Sequence, residues 1–252
     1  MRPKSSALAI AALATFLLAI SASGFASAIS NPSGPIPHTV GPQTHNFSAS
    51  PASPIVYFQN PDFLGAFASQ NDTTGGFGNY ATVFDNFTLG AAFNIDEFQW
   101  VGGYFNPSVQ GVMTGATLTF YADAGGAPGA ALATYTGGGN FGETFIGTDI
   151  FGDPMFLYDG LLGSPFAAAA NTQYWVSIVP DVGFPPQWGW GTSSDADLTA
   201  WQCFFGTCGP VGSDMAFALN GTAQTTVPEP GTLVLMGSGL LGLASIIRRK
   251  LS

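Results

Sequence analysis

The sequence predicts an all-β fold, an antiparallel β-sandwich of jelly-roll-like type, over residues 55–222. Apolar and polar residues alternate with period two along many short stretches, which is typical of strands. Turns rich in Gly, Pro, Asn and Asp separate these stretches. The helix-favouring residues Lys, Arg, Glu and Gln are scarce. These three observations favour strands over helices throughout the segment.

Strand patterns follow one another along this segment. In residues 116–122, Leu118 and Phe120 share one face, whereas Thr117, Thr119 and Tyr121 share the other. The remaining strand candidates are residues 55–59, 81–89, 94–101, 130–136, 155–158, 172–179 and 215–219. One short stretch, residues 164–171, looks briefly helical, although its alanines could also precede a strand. About eight or more short strands in about 170 residues fit a single sandwich.

The N-terminal residues 1–28 have the pattern of a secretory signal peptide. Arg2 and Lys4 form a basic start, residues 7–20 are apolar, and residues 26–28 fit the small-x-small cleavage rule. Residues 29–54 are rich in Pro, Ser, Gly, Asn and Thr, and we interpret them as a linker or a loosely docked arm. The protein is therefore expected to be exported.

The C-terminal residues 223–252 have the pattern of a membrane-associated sorting tail. Residues 231–247 are uncharged and apolar, and their length is at the short limit for a transmembrane helix. A basic cluster follows, which the positive-inside rule places in the cytoplasm: Arg248, Arg249 and Lys250. Upstream lies Val227, Pro228, Glu229 and Pro230, where the two prolines hold the backbone extended.

This tail resembles the PEP-CTERM sorting signal of Gram-negative bacteria. The resemblance rests on Pro228-Glu229-Pro230, the short apolar helix and the basic cluster, in that order. It implies recognition by an exosortase, removal of the tail, and delivery to the envelope, cell surface or extracellular matrix. A plain C-terminal membrane anchor is the alternative. The middle of the chain also resembles jelly-roll ectodomains that precede such tails, in residues 84–87, 121–129, 174–178, 188–190 and 214–219.

Charge is distributed very unevenly. All five Lys and Arg lie in the two targeting segments, whereas fourteen of the fifteen Asp and Glu lie between residues 29 and 227. The body is therefore purely acidic and has nothing to neutralise phosphate, so we expect no binding to nucleic acid. Acidic polysaccharides would be repelled unless metal ions bridged the two.

The two cysteines, Cys203 and Cys208, are the only ones in the chain. Because the body is expected to be exported, they predict a disulfide that closes a short loop. Free or redox-active thiols are the alternative.

Three tryptophans suggest a ligand-binding platform. Trp188 and Trp190 are two residues apart, so in a strand they would point to the same side, and Gly189 would leave the backbone open between them. Trp201 could extend the platform. Indole rings suit stacking on sugars. The competing interpretation is that the first two are core residues, because large aromatics are usually buried.

Asp123 begins a Gly-rich stretch between two strands. It could ligate calcium together with a distant carboxylate such as Asp85 or Asp214, although a simple turn explains the pattern as well. Other cofactors are not expected. The paired acids at Asp96 and Glu97, at residues 149 and 153, and at residues 195 and 197 make glycoside hydrolysis a distant alternative.

The sequence therefore predicts a non-enzymatic, exported β-sandwich protein. Two function classes remain open: a module associated with extracellular polysaccharide or matrix, and a structural envelope component with no discrete ligand. The expected partners are an exosortase-type enzyme, the membrane through residues 231–247 before processing, and extracellular polysaccharide.

Overall fold

The structure is a computed structural model that describes residues 47–48 and 53–224. Within these two ranges the chain forms strands and no helix, which confirms the all-β prediction. The strands are β1 (Ile55–Gln59), β2 (Ala66–Ala68), β3 (Gln70–Asp72), β4 (Gly78–Thr88), β5 (Phe93–Phe105), β6 (Met113–Asp123), β7 (Pro128–Gly138), β8 (Thr144–Thr148), β9 (Pro154–Ala168), β10 (Gln173–Val182), β11 (Gln187–Ser193), β12 (Trp201–Phe204), β13 (Thr207–Pro210), β14 (Asp214–Met215) and β15 (Phe217–Ala223).

The described strands form two sheets that pack as a sandwich. The eight-stranded sheet has the order β1-β15-β5-β11-β14, with β9 beside β5, β8 beside β9, and β2 beside β11. The seven-stranded sheet has the order β13-β12-β4-β3-β10-β6-β7, with β4 also paired to β10. Neighbouring strands are antiparallel in nearly every pair whose register is defined, and β3 runs parallel to β10.

The main core lies between the two sheets and follows from the alternation in the sequence. Phe98 and Trp100 of β5 face Leu118 and Phe120 of β6 across it, and all four are buried. Their neighbours Thr117 and Tyr121 point away from this core and stay partly exposed. The prediction that Leu118 and Phe120 share one face is therefore confirmed, and that face points into the core.

One local prediction is wrong. Residues 164–168, which looked briefly helical, are the last part of β9, where Ala168 pairs with Phe93 and Phe166 with Ile95 of β5. Both Phe166 and Ala168 are buried against the main core. Tertiary burial of alternate residues therefore overrides the helix propensity of the alanines.

The eight-stranded sheet carries a second core on its outer face. Val101, Met155, Ala216 and Ala218 are buried there together with Phe47. Glycines on neighbouring strands make room for the Met155 side chain. A Cβ at position 103 would lie 2.5 Å from its sulfur, and one at position 191 would lie 2.8 Å from its terminal methyl group. This sheet therefore packs apolar side chains on both of its faces.

The described part of the predicted linker is docked on this second core. Phe47 is buried in it, and the main chain of Ser48 is held by Gln99 of β5. The Ser48 N–H donates to Gln99 Oε1 at 2.9 Å, and Gln99 Nε2 donates to the Ser48 carbonyl at 2.6 Å. Residues 1–46, 49–52 and 225–252, with the predicted signal peptide, the rest of the linker and the sorting tail, lie outside the described residues.

Candidate binding face

Trp188 and Trp190 are core residues. Both are fully buried between the sheets. Trp188 Nε1 donates to the Tyr158 hydroxyl at 3.0 Å, and Trp190 Nε1 donates to the Ala216 carbonyl at 2.9 Å. The two side chains do share one face, as the spacing predicts, but that face is the interior. The hypothesis of a ligand platform on these two residues is therefore replaced by the competing interpretation that they are core residues, because neither ring is open to a ligand.

Glycine explains how such large rings fit. The Trp188 ring lies directly on Gly102 of β5, where an added Cβ would come within 2.1 Å of it. Gly189 does not leave an opening, because a Cβ there would meet Phe105 at 2.7 Å. The Trp188 bond continues through Tyr158, whose hydroxyl donates to Glu143 Oε1 at 2.8 Å. Burial raises the pKa of the Tyr158 hydroxyl, which therefore remains a proton donor in this chain of hydrogen bonds.

Trp201 has a different position, on the outer face of the seven-stranded sheet. It lies on β12 directly opposite Phe84 of β4, and Phe84 in turn lies opposite Ser177 of β10. The neighbouring Ala200 is buried in the main core. Because side chains alternate between the two faces of a strand, Trp201 and Phe84 point outward. Both are half-buried, so part of each ring reaches solvent.

Tyr121 of β6 completes an aromatic strip across this face. Its ring lies 5.3 Å from that of Phe84, in an edge-to-face arrangement, and its hydroxyl lies 3.1 Å from Ser177 Oγ. We call Trp201, Phe84 and Tyr121 the aromatic strip. The strip crosses four adjacent strands, since Ser177 between them belongs to β10. The three side chains are held by strands, so the strip is largely preformed.

Hydroxyl groups continue the face beyond the strip. Ser177 lies opposite Thr119 of β6, and Thr119 lies opposite Thr134 of β7 with their Oγ1 atoms 3.2 Å apart. Thr117 and Thr136 lie opposite each other one step along the strands. Ser177 and Thr119 are buried, whereas Thr117, Thr134 and Thr136 are at least partly exposed. A flat surface of aromatic rings and hydroxyls, without a charged side chain among these residues, suits the apolar faces and hydroxyls of a sugar chain.

The sequence contained the signal for this face. Alternation in residues 116–122 already placed Thr117, Thr119 and Tyr121 together, away from the inward residues. Phe84 and Trp201 were not assigned to the same surface, because they are brought beside Tyr121 by pairing between strands that are distant in sequence. Cross-strand neighbours of this kind cannot be read from one strand alone.

Asp123 closes a turn at the end of β6. Its carboxylate accepts hydrogen bonds from the N–H groups of Gly125 and Gly126, each at 3.0 Å, and from Trp175 Nε1 at 2.9 Å. The Trp175 bond above all, with the two main-chain donors, lowers the pKa of Asp123. This geometry is the one expected from the turn interpretation. Across residues 47–48 and 53–224, no three His, Cys, Asp or Glu side chains come together as a metal site.

Asp85 and Asp214, the suggested calcium partners of Asp123, instead bind main-chain groups. Asp85 is fully buried, and its Oδ2 accepts from the Met215 N–H at 2.6 Å. Asp214 Oδ2 accepts from the Ala196 N–H at 2.8 Å. Burial raises the pKa of both carboxyls. The two acids therefore hold β14 and the preceding loop in place.

One carboxyl pair was missed by the sequence analysis. Glu97 of β5 and Asp159 of β9 share a hydrogen bond on the outer face of the eight-stranded sheet. Burial raises the pKa of both carboxyls, and the nearby Asp159 raises that of Glu97 further, whereas the hydrogen bond with Glu97 partly offsets the rise for Asp159. Carboxyls in hydrogen-bond contact are closer than the roughly 5 Å that separates the pair in retaining glycosidases. The pair also lacks space for a sugar ring, because Glu97 is buried and bonded to Gln99.

The predicted disulfide is confirmed. Cys203 and Cys208 are bonded to each other and lie opposite one another on β12 and β13. The bond closes the hairpin whose tip carries Phe205 and Gly206. Phe205 packs against Tyr80 with the ring centroids 5.1 Å apart, so the hairpin is tied both covalently and by aromatic contacts.

The fold and the aromatic strip together define a β-sandwich protein. The outer face of its eight-stranded sheet is covered, and the outer face of its seven-stranded sheet is open. Residues 226–250 match the PEP-CTERM protein-sorting motif. The chain thus carries a PEP-CTERM sorting motif, which indicates an exported protein that is processed by an exosortase and sorted to the envelope or cell surface. The matched residues include Val227, Pro228, Glu229 and Pro230 and the basic cluster Arg248, Arg249 and Lys250, all outside the described structure.

No curated protein matches the chain. The described residues contain no helix of the length and apolarity needed to cross a membrane. The predicted span at residues 231–247 falls outside them.

Proposed function

We propose that the protein is a non-enzymatic component of the cell surface or extracellular matrix of a Gram-negative bacterium, and that it binds a neutral polysaccharide through the aromatic strip. The observation that carries this proposal is the strip itself. Three partly exposed aromatic rings lie in a row across one face, and the accessible hydroxyls of Thr117, Thr134 and Thr136 lie on the same face. Stacking on sugar rings and hydrogen bonding to sugar hydroxyls are the two interactions that such a surface offers.

Charge supports a neutral rather than an acidic polysaccharide. The body between residues 29 and 227 has fourteen Asp and Glu and no Lys or Arg, so a polyanion would be repelled. The strip itself contains no carboxylate. Its chemistry therefore favours binding over acid–base catalysis, and the proposed binding needs no cofactor.

We also propose a route to the surface. The precursor is exported by residues 1–28, held in the membrane by residues 231–247, and released when an exosortase removes the tail. Intact mass spectrometry of protein extracted from the cell surface should show loss of about the last 20 residues, the length of a membrane helix. A mass that retains Arg248 to Lys250 would leave the plain membrane anchor instead.

Binding can be tested by affinity electrophoresis in gels that contain neutral extracellular polysaccharides. Wild-type protein should be retarded, and Trp201→Ala should weaken retardation about tenfold, the equivalent of roughly 1.4 kcal/mol. Phe145→Ala is the matched control, because Phe145 is a 58% exposed aromatic on β8 of the other sheet. If no neutral polysaccharide retards the wild type, the protein is better described as a structural envelope component without a discrete ligand.

A further inference from the structure

The last strand of the seven-stranded sheet, β7, has an unpaired edge in the described structure. It spans Pro128–Gly138, and one of its sides pairs with β6. Gly139, just beyond the strand, donates its N–H to the Thr114 carbonyl at 2.9 Å. Backbone groups alternate between the two sides of an antiparallel strand. The N–H and C=O groups of Thr134, Thr136 and Gly138 therefore point to the open side.

This edge lacks the usual protection against pairing with another chain. Residues 124–142 carry no charge, and the one proline of β7 is Pro128 at its start. A bulge at Leu132 interrupts the register with β6, but residues 133–138 pair regularly. Natural edge strands are commonly blocked by lysines, prolines or bulges, and residues 133–138 have none of these. The strands at other sheet ends are shorter, with five residues in β8 and four in β13.

An apolar slot lies beside the same edge, between β7 and β9. Tyr135, Phe141 and Leu161 are among its lining residues. The Leu161 side chain is 82% exposed. A strand added to β7 would extend the seven-stranded sheet and cover this slot with its inward side chains. Such an addition would bury both the unpaired backbone groups and an exposed leucine.

We propose that the β7 edge is a self-association surface, where residues 133–138 of two copies pair as antiparallel strands. Two copies of an acidic body without Lys or Arg repel each other over most of their surface, whereas residues 124–142 are neutral. Antiparallel pairing of one strand with its own copy also satisfies two-fold symmetry with a single segment. The pairing joins two seven-stranded sheets into one continuous sheet. Its contact area is small, so we expect a Kd on the order of 10–100 µM.

A proline substitution distinguishes the contribution of the backbone N–H at the β7 edge from the contribution of the side chain. Thr136→Pro removes an N–H that points to the open side and leaves the bonds to β6 in place. Thr136→Ala removes the same side chain and keeps the N–H, so it is the matched control. Leu161→Asp is a second test, because it places a charge on the slot at an exposed position and leaves the strands intact.

Sedimentation velocity of the full exported protein in detergent, over a hundredfold range of concentration, gives the readout. Wild type and Thr136→Ala should dimerise with rising concentration, whereas Thr136→Pro and Leu161→Asp should remain monomeric at concentrations at least tenfold higher. Circular dichroism checks that each variant is folded, and Leu161→Asp decides the test if Thr136→Pro is not. A wild type that stays monomeric throughout, or folded variants that dimerise as the wild type does, would overturn the proposal.

Discussion

The outer faces of the two sheets differ in a way that decides where a ligand can bind. On the eight-stranded sheet the outer face carries a second apolar core, in which Met155 and Val101 are buried together with Phe47. On the seven-stranded sheet the outer face carries the aromatic strip and three threonine hydroxyls of β6 and β7 that are at least partly exposed. One sheet is therefore structural on both faces, and the other offers one face to its surroundings.

The two sheets differ because their sequences differ in alternation. All seven residues of β11 are buried, and glycines alternate there with large side chains, so that both faces of the strand can be packed closely. In β6, inward Leu118 and Phe120 alternate with outward threonines and Tyr121. A strand that alternates marks a sheet with a free face, whereas a strand apolar on both sides marks a covered one.

The largest expected effect is a difference in stability between substitutions of two tryptophans. Trp188→Ala should lower the free energy of unfolding by about 3–5 kcal/mol, because it empties a fully buried site and leaves Tyr158 without its hydrogen-bond donor. Trp201→Ala should cost about 1 kcal/mol, since the ring is only half-buried. Denaturant unfolding of the two variants provides the measurement. Equal losses would mean that Trp201 is also a core residue and that the open face does not exist.

The next-largest expected effect on stability concerns the second core. Met155→Ala should cost about 2–5 kcal/mol, the range for a buried methionine or leucine, because its side chain fills the space above two glycines. Thr117→Ala on the open face should change stability by less than about 0.5 kcal/mol. Denaturant unfolding of these two variants provides the measurement. A small loss for Met155→Ala would show that the eight-stranded sheet is not covered as described.

A smaller effect is expected for the disulfide, which lies on a strand pair of the seven-stranded sheet. Replacing Cys203 and Cys208 together by Ser should cost about 2 kcal/mol, because the bond closes only a short loop of the unfolded chain. Aromatic contacts of the hairpin tip remain in the variant. Thermal unfolding of the wild type with and without reductant should reproduce the difference. An unfolded variant would show that the hairpin depends on the bond alone.

The smallest effect concerns pH. Burial raises the pKa of Glu97 and Asp159, so the stability they contribute is full below their unfolded pKa values, near 4, and is lost as pH rises through their folded values. Asp72 behaves oppositely: burial raises its pKa, but four main-chain N–H donors outweigh this and lower it. Glu97→Gln should therefore flatten the fall in melting temperature as the pH rises above about 4. An unchanged slope would contradict the pairing of these carboxyls.

The sequence was sufficient for the fold class, for most strands and for the disulfide, since each depends on a local pattern. Alternation identified β6 and the inward Leu118 and Phe120, and the exported context indicated the bond between Cys203 and Cys208. The sequence could not decide whether Trp188 faces the core or solvent, because both faces of β11 are closely packed and the same spacing fits either. The Glu97–Asp159 pair and the aromatic strip depend on strand pairing over long separations, which periodicity does not encode.

Hydroxyl-radical footprinting of the exported protein, with and without a neutral extracellular polysaccharide that retards it in gels, tests the central claim most directly. Without the polysaccharide, Trp201 and Tyr121 should be oxidised, whereas Trp188, Trp190 and the intrinsically reactive Met155 should be protected by burial. With the polysaccharide, oxidation of Trp201 and Tyr121 should fall, while that of Phe145 on the other sheet should not change. Rapid oxidation of Met155 or Trp188 in the free protein, or protection that spares Trp201 and Tyr121, would contradict the assignment of one covered and one binding face.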